Sequence, residues 1–293
     1  MASTVPEFCR RILLNLLPKI LLTRLAGWAA DQKWPRWFLR PFLRAFTRIY
    51  RIQLEESSKS IEDFGNFTEF FTRPLQPDIR PLDPDPNASI SPVDGIIGKS
   101  GSIQDQTLFQ AKGQKYTLEE LIPDSQLSSL FKNGHYLTIY LSPRHYHRVH
   151  SPVSGAVRSL FYLPGTLYPV NPPSIACVPR LFARNERLLT HIESPLWGPV
   201  AVLMVGALIV GRIRVTYEHF ATPFRKGGEL LRHYEQSPFL ERGAELGRFE
   251  LGSTVILLWG DPNVDLQPLD EGTDIFLGKP IAKIASRKEE QNL

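Results

Sequence analysis

The sequence predicts an α+β fold: amphipathic helices at the N-terminus, then a β-rich domain of short antiparallel strands, barrel- or sandwich-like, with few helices. Three observations predict it. Basic and aromatic residues recur at helical spacing up to about Arg51. Beyond Ile61, short apolar runs bounded by Gly and Pro take over. Neither a phosphate-cradling glycine loop nor the strand–helix alternation of a doubly wound sheet occurs. Two units follow, residues 1–60 and 61–293.

The helical unit comes in pieces. Ile12, Leu13, Leu16, Leu17, Ile20, Leu21 and Leu25 fall at helical spacing, with Pro18 kinking or breaking the run. From Trp34 to Tyr50, arginines at 36, 40, 44 and 48 form one stripe, with Trp37, Phe38, Phe42, Phe46 and Tyr50 beside it. Rings at headgroup depth and arginines toward anionic lipid are the composition of an interfacial helix. The alternative is an amphipathic helix packed on its own domain. Through Ile52 there are ten basic residues against two acidic ones, about +8, which leaves the remainder near −4. No recognition-helix or RNA-binding pattern accompanies this charge, so nucleic acid is not an expected partner.

Phe64, Phe67, Phe70 and Phe71 fit a short helix, and the proline-punctuated stretch Arg73–Pro86 reads as a connector. Strands are expected at Ile90–Gly98, Tyr136–Leu141, Ser151–Val157 and Val200–Val215, with helix returning briefly at Leu118–Leu130. Ser91-Pro92-Val93-Asp94-Gly95-Ile96-Ile97 and Ser151-Pro152-Val153-Ser154-Gly155-Ala156-Val157 are near copies, a degenerate internal repeat. The last strand, Phe249–Trp259, is an apolar run interrupted by Glu250 and, in its middle, by Gly252-Ser253-Thr254. A glycine there marks a bulge or a close approach to the backbone, and the following hydroxyl can reach the carbonyl before it. No run supplies the roughly 18 uninterrupted apolar residues of a spanning helix. Cys9 and Cys177 form neither a disulfide framework nor a metal pair, which suits a reducing compartment.

Three of the seven histidines, His145, His147 and His150, fall within six residues after an apolar strand. They suggest acid–base chemistry or a metal, although no HExxH or nearby cysteine supports the latter. Asp94, in Asp-Gly, is a turn former on its own. Serine, histidine and aspartate together are what activating a hydroxyl requires, and they need not be close in sequence.

Several segments, in order, carry a resemblance: Phe70-Phe71-Thr72-Arg73-Pro74-Leu75, Ser91–Gly95, Tyr146-His147-Arg148-Val149-His150, Pro164–Asn171, Arg184-Asn185-Glu186-Arg187, Val205-Gly206-Ala207 with Val210-Gly211, and Arg242–Phe249 leading into Leu251-Gly252-Ser253-Thr254. Over residues 64–260 the chain resembles the bacterial phosphatidylserine decarboxylases, membrane-associated pyruvoyl enzymes made as proenzymes. The resemblance implies autocatalytic cleavage between Gly252 and Ser253 into chains 1–252 and 253–293, with residues 61–293 forming the decarboxylase domain. The Ser253 hydroxyl would attack the Gly252 carbonyl, and β-elimination followed by hydrolysis would leave a pyruvoyl group in place of Ser253. That group would form a Schiff base with phosphatidylserine and accept electrons as carbon dioxide leaves, giving phosphatidylethanolamine. By matching motif positions, His150 would be the base, oriented by Asp94, and His147 the acid that reprotonates the product. No metal is implied. The implied partners are phosphatidylserine, an anionic membrane surface, the two cleaved chains and a second copy in a homodimer, with a peripheral position on the cytoplasmic side of the cell membrane. Two departures stand out: His145 occupies a position where members commonly carry aspartate, and Leu208 is bulkier than expected. The alternatives from the residues alone are a membrane-associated metallohydrolase using His145, His147 and His150, and a non-catalytic lipid-binding protein.

Overall fold

The computed structural model describes residues 17–110, 114–209, 212–222, 228–250 and 254–284. Helix α1 (Lys19–Asp31) starts directly behind Pro18, and α2 (Arg36–Tyr50) behind Pro35, where a fixed φ suits a helix start. Helix α2 stops where Arg51 turns left-handed (φ 55°). Its Leu39 and Leu43 are buried against Ile52, Phe64 and Phe70. Trp37 is 79 % exposed and Ile49 72 %; from α1, Leu21, Leu25 and Trp28 also face outward. No described helix is long and apolar enough to cross a membrane. Helix α3 (Phe67–Phe71) is capped by Asn66, whose side chain accepts the Glu69 N–H at 2.8 Å.

Strands are numbered in chain order. The main sheet contains β2 (Gly95–Ser102), β5 (His135–Tyr140), β7 (Gly155–Leu163), β8 (Arg187–Ser194), β9 (Gly198–Val205), β11 (Leu230–His233), β12 (Phe239–Leu240), β14 (Thr254–Trp259) and β16 (Asp274–Ile275). It is antiparallel, in the order β11-β7-β8-β9-β14-β5-β2-β16, with β12 sharing the outer edge of β7. The described strands form no closed barrel; the sheet is open and covered on both faces. One face packs against two three-stranded sheets: β1 (Ala88–Ile90), β17 (Pro280–Ile284) and β15 (Val264–Leu266); and β10 (Ile213–Val215), β13 (Glu245–Phe249) and β6 (Arg148–His150). Against the other lie the hairpin of β3 (Thr107–Phe109) and β4 (Lys115–Thr117) and the short helices α4 (Leu118–Leu121), α5 (Ser125–Ser129), α6 (Pro172–Cys177) and α7 (Leu181–Arg184). Strand β14 is central: Val255, Leu257 and Trp259 enter the first core, Ile256 and Leu258 the second. A strand buried on both faces reads as a continuous apolar run, as it does here.

One expectation is corrected. Phe249–Trp259 is not a single strand with a bulge: β13 ends at Phe249 in a small sheet, and β14 begins at Thr254 in the main one. The chain changes sheets between them, which periodicity cannot register because both flanks are apolar and buried.

The near-copied segments fold alike. Ser91 Oγ donates to the Val93 carbonyl and Ser151 Oγ to that of Val153, both at 2.7 Å. The copies also reciprocate: Ile90 N–H donates to the Pro152 carbonyl (3.1 Å), and His150 N–H to that of Pro92 (2.8 Å). Asp94 Oδ1 accepts the Leu277 N–H at 2.8 Å, and Ser154 Oγ the Arg242 N–H at 2.9 Å. Glycine follows in each because a Cβ at Gly95 would lie 2.8 Å from the Tyr140 carbonyl oxygen, and one at Gly155 2.7 Å from that of Glu193. This crossed pair delivers Asp94 and His150 to one region of the molecule.

Candidate active site

Gly252 and Ser253 lie outside the described residues. What surrounds the chain on either side is well defined. The Phe249 N–H donates to the carbonyl of His147 at 3.0 Å, and fully buried Thr254 pairs with Val205 and Tyr140. The histidine-bearing segment is therefore stitched to the chain three residues before Gly252.

His150 Nδ1 lies 2.7 Å from the Gly243 carbonyl oxygen, an arrangement that places the ring proton on Nδ1. Nε2 keeps its lone pair and faces the Tyr146 hydroxyl at 3.2 Å. Burial lowers the His150 pKa below its usual value, against the pull of the Gly243 carbonyl and of Glu245 and Asp94. The ring is thus neutral at neutral pH, as a base must be.

His147 is fully buried, its ring centroid 4.0 Å from that of Phe71. Nδ1 donates to the His145 carbonyl oxygen at 2.8 Å, and Nε2 has no hydrogen-bond partner among the described residues. Burial first, then the nearby Arg73 and His145, drive its pKa well below the usual range. A lone pair buried without a donor is costly unless something occupies it during function.

Asp94, 2 % exposed, does not bond to His150. Its carboxylate accepts Arg80 Nη2 at 2.8 Å and Nε at 3.1 Å, besides the Leu277 N–H, and Arg80 is shared with Glu56 at 2.6 Å. The expected orienting contact is replaced: the Gly243 carbonyl and Tyr146 fix the imidazole, and Asp94 acts on it through its field. Buried Arg73, its pKa lowered by burial to about 10, donates to the Arg144 carbonyl at 3.1 Å and so anchors the turn that carries the histidines.

The ring of His145 accepts the Ser142 N–H at Nδ1 (2.9 Å), and Nε2 lies 3.7 Å from Asp274. Burial lowers its pKa to about 4. The three imidazoles face different partners, and among the described residues no group of three His, Cys, Asp or Glu side chains is placed to hold a metal ion.

An apolar cavity of about 270 Å³ opens beside this centre, walled by Phe46, Tyr50, Phe67, Phe71, Leu141 and Leu208 among others. Phe71 forms its wall and covers His147 as well. The bulky Leu208 therefore lines an apolar surface.

Sequence reasoning gave no role to Arg80, Tyr146 or Glu186. Arg80 stands in a proline-rich connector with no local signal of its partner. Glu186 is 5 % exposed, hydrogen-bonded to Thr222 and with Oε1 unpartnered among the described residues; burial pushes its pKa up to about 7. A lone Glu flanked by arginines reads as a surface residue, so only burial identifies it.

The sequence profile of a family described as Phosphatidylserine decarboxylase matches residues 67–283, and a second profile, described as PSD, matches residues 10–51. The phosphatidylserine decarboxylase proenzyme of Dickeya dadantii is 43 % identical over 262 residues, 87 % of this chain and 85 % of that protein. Proteins of the same name from Escherichia coli (strain E2348/69) and Citrobacter koseri are each 40 % identical, over 91 % and 94 % of this chain and 85 % and 91 % of their own lengths.

Proposed function

The chain belongs to the phosphatidylserine decarboxylase family, and on that premise we propose that it is a proenzyme that cleaves itself between Gly252 and Ser253 and then converts phosphatidylserine to phosphatidylethanolamine and carbon dioxide. It is a carboxy-lyase. The observation that carries the reading is the pair of buried neutral imidazoles, His147 and His150, on a segment hydrogen-bonded to Phe249 at the approach to the junction.

Each residue has a task its geometry suits. His150, proton on Nδ1 and lone pair on Nε2, takes the Ser253 hydroxyl proton as that oxygen attacks the Gly252 carbonyl. Asp94 stabilises the imidazolium so formed, and Arg80 holds the carboxylate in place. The pyruvoyl group derived from Ser253 supplies a carbonyl that draws off the electron pair left when carbon dioxide departs. The residues that approach the junction suit such a group: His147 is fully buried with an unpartnered imidazole nitrogen among the described residues, and Phe71, which covers it, lines an apolar cavity. His147 begins with an open lone pair at Nε2, so it must first gain a proton there before returning it to the product carbon.

The outward Leu21, Leu25, Trp28 and Trp37, with the α2 arginines, support a peripheral seat on anionic lipid at the cytoplasmic face of the cell membrane.

Intact-mass analysis of the wild type beside Ser253→Ala tests the proposal. Two chains meeting at 252/253, the smaller lacking a free amine, are expected from the wild type, and one uncleaved, inactive chain from the variant. Hydroxylamine should block activity and a chelator should not. Normal decarboxylation by uncleaved Ser253→Ala would overturn the reading.

A further inference from the structure

Helix α1 touches the segment between β9 and β10 at two places. Thr23 Oγ1 accepts the Ile209 N–H at 3.0 Å, and Asp31, the helix's last residue, receives both terminal nitrogens of Arg212 at 2.6 Å. The Thr68 hydroxyl from α3 donates to the same carboxylate at 2.7 Å. The Nε of Arg212 then faces Glu250, whose N–H donates to the Arg212 carbonyl at 2.9 Å and whose other oxygen accepts Arg214 Nε at 2.6 Å. Glu250 has a side chain only 8 % exposed and stands two residues before Gly252. A continuous line of charge thus runs from the end of the amphipathic helix to the chain entering the junction.

We propose that Asp31–Arg212–Glu250 is a brace through which the seating of α1 sets the rate of self-cleavage, with Asp31 and Arg212 as positioning residues; this rests on the junction reading above. An intramolecular attack on a peptide carbonyl depends steeply on alignment, and about 1 Å of misplacement costs on the order of 100-fold. Strand β13 is fixed by β10 and β6 as far as Phe249, and Glu250 is the last described anchor before the junction. The brace has one weak link: the Asp31 and Arg212 side chains are 37 % and 30 % exposed, so salt screens the outer contact more than the one to Glu250.

The test follows the full-length chain in cell-free synthesis and measures the first-order appearance of its two products. Asp31→Asn and Arg212→Gln should slow it by about 3- to 10-fold, and Arg212→Lys by less. Glu62→Gln, which removes the exposed Arg44 contact of α2 (2.7 Å), should leave it unchanged. Raising salt from about 0.05 to 0.5 M should slow the wild type but not Asp31→Asn, a dependence a purely structural role would not produce. Melting the same substitutions in an uncleavable Ser253→Ala chain separates alignment from folding. Wild-type rates for Asp31→Asn and Arg212→Gln, or slowing that only tracks lost folded protein, would overturn the brace. An uncleaved wild type would instead remove the junction reading and the brace with it.

Discussion

The Tyr146 hydroxyl faces His150 Nε2 at 3.2 Å while the Gly243 carbonyl holds Nδ1, so the ring is presented in one tautomer with its lone pair toward a phenol. Burial raises the Tyr146 pKa to about 12, which keeps it a donor at neutral pH. A donor to Nε2 favours the neutral imidazole. Tyr146→Phe should therefore raise the His150 pKa and move the acid limb of the cleavage-rate profile to higher pH by about half a pH unit. An unmoved profile would exclude His150 as the titrating base.

Asp94→Asn should remove the charge that Arg80 engages. Both side chains are nearly buried (3 % and 10 % exposed), and uncoupling a buried pair costs about 3 kcal/mol or more. Self-cleavage should fall together with the unfolding midpoint. A variant of normal stability that cleaves normally would show that the Asp94 field plays no part.

His147 and His150 both have pKa values below the usual histidine value of 6.5 because they are buried. Below that value the unfolded chain binds protons that the native state refuses, so their contribution is fully present above it and is lost as pH falls through the native pKa values. The urea midpoint should drop between about pH 7 and pH 5, and His147→Gln should flatten part of that drop.

Glu186 works in the opposite sense. Its pKa is raised by burial from 4.5 to about 7, so its contribution is present below the unfolded value and is lost as pH rises through about 7. Glu186→Gln should be more stable than the wild type near pH 8, by roughly 2–3 kcal/mol in denaturant titrations. Equal stability there would mean that the carboxylate is ionised without cost.

The outward aromatic residues of α1 and α2 should act on lipid and leave the fold alone. Trp28→Ser with Trp37→Ser should weaken co-sedimentation with anionic vesicles by about tenfold or more while the melting temperature stays unchanged. Undiminished binding would place the membrane contact elsewhere.

Much of this was legible in the chain itself. The arginine stripe of α2, the apolar run of β14 and the copied Ser-Pro-Val segments each encode their structure in spacing that neighbours impose. The sheet change between Phe249 and Thr254 was not legible, because two buried strands in series look like one. Nor were the partners of Asp94: the motif suggested a histidine, while the fold brings in Arg80 from a connector with no signature.

The sequence alone determined the class of the fold, because periodicity is a local property, and its family resemblance is what points to Gly252-Ser253, Asp94, His147 and His150 as the proposed site. The tertiary structure decided which of these residues meet. It set His150 against Tyr146 and the Gly243 carbonyl, gave Asp94 to Arg80, buried Glu186 and ran Asp31 through Arg212 to Glu250. Those pairings join positions far apart in the chain, and both their existence and their protonation states depend on burial, which exists only once the sheets have closed over the core.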